Sequence, residues 1–279
     1  MKRIPQRKIC ELVSALPSGD VGLFIEDCDS GERFELNPEL EFPAASVIKI
    51  PILALLLKDA REKNIDMYAP HAMAPENRVG GTGILHELNP DYCPPIHYLG
   101  KLMIIMSDNA ATNEIIDIVG GFERVTSFCR ELGYNKSRLN RKMMDFEAIA
   151  QGRNNYTSAG DAGRMMAAIA RGEFVSTEIS HTIEEIMESQ QYRNKLPAKL
   201  PAVPVYALPE DKKNIKPGSV LVANKTGDLF GIQHDVGIFT LPDKRRYVIA
   251  ALTGGLADDI DGITLLADIS RAVYDALKE

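Results

Sequence analysis

Ser46 and Lys49 stand three residues apart at the head of an apolar run, IPILALLLKDA. On a helix that spacing projects both side chains from one face. A serine hydroxyl is a weak nucleophile until a neighbouring base takes its proton. A lysine amine does so once burial and nearby positive charge bring its pKa toward neutrality. Near the helix start the positive end of the dipole also favours negative charge developing at Ser46. Two further strings supply the remaining parts of an acyl-transfer site. Ser107-Asp108-Asn109 follows the apolar segment YLGKLMIIM. There the Ser107 hydroxyl can relay a proton to a leaving group, and Asn109 can bind the substrate or hold Lys49. Asp108 is suited to capping the helix that follows. Lys225-Thr226-Gly227 ends a strand-like run, SVLVANKTG. Lys225 is the cation that lowers the pKa of Lys49, and Thr226 offers a hydroxyl to a substrate carbonyl or carboxylate. Gly227 permits close backbone approach. The main-chain amides of Ser46 and Asp228 are the expected oxyanion pair.

A Ser-x-x-Lys string arises by chance about once in a chain of this length, and carries little weight alone. A given tripeptide such as SDN or KTG arises only about 0.05 times. The ordered trio therefore points to serine acyl transfer rather than to scattered surface residues.

These residues need a scaffold. Strand-like runs at 21–27 and 31–37 are separated by Cys28-Asp29-Ser30, a hairpin signal. Helix-like segments follow at 46–62, 97–106, 109–119, 122–132 and 160–171, the last with Ser158 or Asp161 as its start signal. Residues 140–160 read as an irregular, Ω-type loop. Residues 193–217 hold five prolines among lysines and read as a surface connection. Strands are expected at 219–225, 232–241 and 246–254, then a terminal amphipathic helix. Strands at both ends and helices between them imply an α+β fold. Its sheet lobe would comprise residues 1–45 and 200–279, with an inserted all-helical lobe at 46–199, and the two would form one compact catalytic unit with a cleft between them.

The 279 residues are 45% apolar and 25% charged, enough for a sizeable core and too apolar for global disorder. A net charge of -7 argues against a nucleic-acid surface. The basic N-terminus is interrupted by Pro5, Gln6, Arg7 and Lys8, with no apolar signal region after it, and LALLL at 53–57 is too short to span a bilayer. The expectation is a cytoplasmic protein acting on a small molecule, without nucleic acid or a membrane span. Cys10, Cys28, Cys93 and Cys129 are isolated and read as small buried apolar groups. No metal-ligand spacing joins them to the five histidines, so no metal or cofactor is expected.

With PAASVIKIPILALLL, SDNAATNEII, SRLNR at 137–141 and NKTGDLFG followed by HDVGIF, the chain resembles the class A β-lactamases and their penicillin-binding relatives over nearly its whole length. The resemblance implies a mainly antiparallel five-stranded sheet flanked by helices, plus an α-helical lobe. It also implies acylation of Ser46 by a β-lactam or D-alanyl amide, followed by hydrolysis. Two departures bear on that chemistry. Where the family carries the glutamate that activates the deacylating water, this chain has Met143, and a thioether cannot accept a proton. Asp145 and Glu147 are the candidate replacements; without one the acyl-enzyme should persist. Gln233 stands where many members carry an arginine for the substrate carboxylate, and 254–266 contains no arginine. The leading expectation is a β-lactamase-like serine hydrolase. An intracellular esterase or D-amino-acid peptidase of the same fold comes second, and a slow-deacylating β-lactam-binding protein third.

Overall fold

The computed structural model describes residues 3–62 and 65–278, so Met1 and Lys2 of the basic N-terminus lie outside the described residues. A helix α1 (Gln6–Ser14) leads into the hairpin β1 (Asp20–Asp27) and β2 (Arg33–Leu36), then a short strand β3 (Glu41–Pro43). A 3-10 turn (Ala45–Ile48) runs into α2 (Lys49–Arg61). The middle of the chain forms α3 (Ile96–Ile105), α4 (Asn109–Ile118), α5 (Phe122–Glu131), α6 (Phe146–Ala150), β4 (Tyr156–Ser158), α7 (Ala159–Ala170) and α8 (Thr177–Met187). After α9 (Pro209–Lys213) come β5 (Leu221–Leu229), β6 (Ile232–Thr240), β7 (Arg246–Gly254) and α10 (Asp259–Leu277).

The main sheet has the order β2-β1-β7-β6-β5, with each neighbouring pair antiparallel. Strands from both ends of the chain thus share one sheet, as the α+β reading requires. Its faces follow from the period-2 alternation of side chains along a strand. Leu23, Ile25, Ile249 and Ala251 pack with α1 and α10 on one side. Phe24, Val248, Ala250 and Leu252 join the core shared with the middle helices on the other. Both faces are covered, so the central strands are buried nearly throughout.

Within the helical part, α2 is apolar on most faces and sits at the centre, with Ile50, Ile52, Leu53, Ala54 and Leu56 all buried. Its one buried acid, Asp59, accepts two hydrogen bonds of 2.5 Å from Arg124 of α5. Start signals read from sequence act as caps: Ser158 Oγ accepts from Asp161 N at 3.1 Å, and Asp108 Oδ1 accepts from Ala111 N at 2.9 Å.

Some expectations differ from the fold. α1 and α8 were not foreseen, although Ile9, Leu12 and Val13 of α1 stand at helical spacing and pack together against the sheet. The 46–199 segment is not wholly helical, since β4 pairs with β3. Strands of three residues are too short to show alternation. The irregular 140–160 stretch includes α6 as well as β4. The 193–217 connection is not confined to the surface, because Lys195 and Leu196 are fully buried. Cys129 is buried as expected, but Cys10 and Cys93 are exposed.

Candidate active site

The edge strand β5, the 3-10 turn before α2, the Ser107 corner between α3 and α4 and the segment 141–144 converge on a cavity of about 420 Å³. Its lining includes Ser46, Ser107, Asn109, Thr226 and Asp228, with Thr82, Arg141, Met143, Met144 and Tyr192 around them. Gly227 allows the strand to close on the nucleophile turn: a Cβ there would lie 3.3 Å from Ser46 N and 3.1 Å from Ala45 Cβ.

Three of the lining residues, Ala45, Ser107 and Met144, hold left-handed backbone at φ 45°, 51° and 62°. Non-glycine residues adopt that region only where surrounding structure imposes it. At Ser107 the consequence is visible. Its carbonyl accepts from Lys49 Nζ at 2.8 Å and from Thr82 Oγ1 at 2.6 Å. Its hydroxyl lies 3.1 Å from both Lys49 Nζ and Lys225 Nζ. Asn109 Oδ1 accepts the third bond from Lys49 at 2.9 Å. Asp108 holds the corner, accepting from Ile84 N and Leu85 N as well as capping α4. Gly83 makes that possible, because a Cβ there would sit 2.2 Å from Asp108 Cγ.

Lys49 and Lys225 are fully buried. Burial first, and then the Lys225 charge, hold the Lys49 amine well below the ordinary lysine range, against the pull of Asp108. Burial brings Lys225 down to about 7, against the pull of Asp228 and Asp235. These are the directions that a neutral amine base beside a titrating cation requires.

Among the deacylation candidates, Glu147 is exposed and accepts from Gln151 Nε2 at 3.2 Å, while Asp145 caps α6 through Ala148 N at 2.9 Å. Neither lines the cavity. Met143 does, with its backbone bracketed by the Asn113 side chain: its N–H donates to Oδ1 at 2.7 Å and its carbonyl accepts from Nδ2 at 3.3 Å. Gln233 is buried outside the lining.

Sequence reasoning missed Lys195. Its ammonium bonds Gly227 O at 2.9 Å, His234 O at 3.1 Å and Asp228 Oδ1 at 2.8 Å. The next residue is fixed by Asp235, whose Oδ2 accepts from Leu196 N at 3.0 Å. His234 ties the strand system to the nucleophile turn, with Nε2 2.9 Å from Pro43 O and Nδ1 3.2 Å from Thr253 N. Burial pushes this imidazole down to about 4, so it serves as a neutral strut. Only the proximity of "RNK" to a proline-rich loop marks Lys195 in the sequence, and that pattern has no chemical meaning until folded.

Comparison with known proteins agrees with this geometry. The model of the Beta-lactamase enzyme family matches residues 5–277. A β-lactamase of Bacteroides uniformis is 26% identical over 90% of this chain and 84% of its own length. A β-lactamase structure from Sphaerobacter thermophilus DSM 20745 superposes with a TM-score of 0.86 at 27% identity, covering 98% of both chains. The structure of PBP-A superposes with a TM-score of 0.84 at 30% identity, over 97% of this chain and 94% of that one, and a mutant of it is an acyl-enzyme complex with penicillin G. With the family match spanning almost every residue and the fold shared end to end, the chain belongs to the β-lactamase enzyme family, as a serine β-lactamase-like hydrolase.

Proposed function

We propose that Ser46 is acylated by β-lactams and related D-amino-acid amides or esters, and that hydrolysis of the resulting ester is the slow step. The observation that carries this reading is the Ser107 hydroxyl, 3.1 Å from each of two buried lysine amines in the cavity that Ser46 lines. Lys49, as the neutral amine, takes the Ser46 proton as Oγ attacks the carbonyl carbon. The amides of Ser46 and Asp228 receive the developing oxyanion. As the carbon–nitrogen bond breaks, the nitrogen gains a proton through Ser107, which Lys49 and Lys225 resupply. Water then attacks the ester and returns Ser46. Among the described residues lining the cavity the one carboxylate is Asp228, already paired with Lys195. With Met143 in the wall, the attacking water has no dedicated base.

Intact-mass spectrometry during incubation with benzylpenicillin tests this. One penicillin adduct per chain should accumulate, map to Ser46 and be absent from Ser46→Ala; an unmodified wild-type mass at all times would sink the reading.

The pH dependence of acylation follows from the two lysines. Lys225 works as a cation, so the rate should fall as pH rises through about 7, where it loses its proton. Protonation of Lys49 sets the acid limb. Lys225→Arg keeps the charge at all accessible pH, and its alkaline limb should move up by about two units or more. Rapid-quench acylation rates across pH check both; an unchanged limb in the arginine variant would assign it to another group.

A further inference from the structure

We infer that the Lys195–Asp228 ion pair turns the β5 wall of this cavity against substrate carboxylates, so that the site favours acyl donors whose group at this wall is neutral or cationic. The inference rests on acylation at Ser46 as proposed above. A lysine ammonium has three donors, and all three of Lys195 are taken, by Asp228 Oδ1 at 2.8 Å, Gly227 O at 2.9 Å and His234 O at 3.1 Å. Lys195 is fully buried, so it offers nothing to an incoming anion. What faces the cavity is its partner, the Asp228 carboxylate, 54% exposed. The pair is not readily opened, because an unpaired ammonium at that depth is costly. A substrate carboxylate at this wall therefore meets a like charge in place of a cation.

Two other cations near the cavity are engaged elsewhere. Lys225 donates to Ser107 Oγ and to Thr226 O. Arg141 comes from a different segment, and its guanidinium donates to Asn154 Oδ1 at 3.0 and 2.8 Å and to Lys142 O at 2.9 Å. Gln233, where a carboxylate-binding arginine was expected, is buried outside the lining.

Benzylpenicillin and its methyl ester differ at this point by the charge and one methyl group, and the Asp228→Asn comparison isolates the charge. Their second-order rates of Ser46 acylation, read by quenched intact-mass spectrometry and each normalised to hydroxide-catalysed ring opening, test the inference on the full chain. The ester should acylate the wild type at least about tenfold faster than the acid. Asp228→Asn removes the charge while keeping an acceptor for Lys195, and should raise the acid-to-ester ratio about tenfold. A wild-type acid rate equal to or above that of the ester overturns the inference, as does an unchanged ratio in a folded Asp228→Asn variant. Should that variant not fold, the wild-type ratio decides alone. Adducts with both compounds at equal rates overturn the selectivity and leave acylation standing; no adduct with either overturns both.

Discussion

Met143→Glu is expected to raise the rate of acyl-enzyme hydrolysis by about 10²-fold or more, the usual worth of a positioned general base. The Met143 side chain lines the cavity that contains Ser46, and its main chain is fixed on both sides by Asn113. A carboxylate placed there starts from a backbone that the fold already holds. Partial burial would raise its pKa above the ordinary glutamate range, which suits a base working near neutrality. The measurement is decay of the penicillin adduct after excess ligand is removed. The expected pattern is specific: faster loss of the adduct with little change in its formation. Asp145→Asn and Glu147→Gln should leave adduct lifetime unchanged, since one caps α6 and the other is exposed at the surface. If either of those two shortened or lengthened it severalfold, the assignment of the missing base to position 143 would be wrong.

Lys49 carries the second large effect. Lys49→Met should slow acylation of Ser46 by about 10²- to 10⁴-fold, and Lys49→Arg should do the same although it keeps a long basic side chain. The reason lies in what the site asks of this residue. Buried without a carboxylate partner and close to Lys225, the amine is driven toward its neutral form, and only a neutral amine accepts a proton. A guanidinium stays charged and cannot. Lys225→Arg should therefore be tolerated better than Lys49→Arg, a difference between two buried lysines that share one hydrogen-bond partner, Ser107 Oγ. Acylation rates for the three variants, with thermal unfolding to verify folding, provide the test. Acylation retained in Lys49→Arg but lost in Lys49→Met would mean that Lys49 acts by charge rather than as a base.

Legibility in the sequence tracked how local each determinant is. The strands of the main sheet and the helices α2–α5 were readable because apolar periodicity and caps such as Asp108 are written within a few residues of each other. The pairing of β3 with β4 lacked such a local signal. Among site residues, Ser46, Lys49, Ser107, Asn109, Lys225, Thr226 and Gly227 stood out through the improbability of three short strings in order. That a thioether, Met143, stands at the family's carboxylate position was legible as well, but only through family resemblance.

The chain itself therefore carries the residue types that the proposed reaction uses: a serine for the nucleophile, two lysines, a second hydroxyl for the relay, and a thioether at the place of the family's carboxylate. Folding decided what those groups are worth. The left-handed turn at Ser107 aims one hydroxyl at both amines, and burial on both sides moves their pKa values downward. Tertiary structure alone also brought Lys195 from a proline-rich connection to Asp228, leaving the carboxylate as the exposed member of the pair. Side-chain identity is a local property, whereas desolvation and pairing depend on segments that meet only when the sheet and helices close around them.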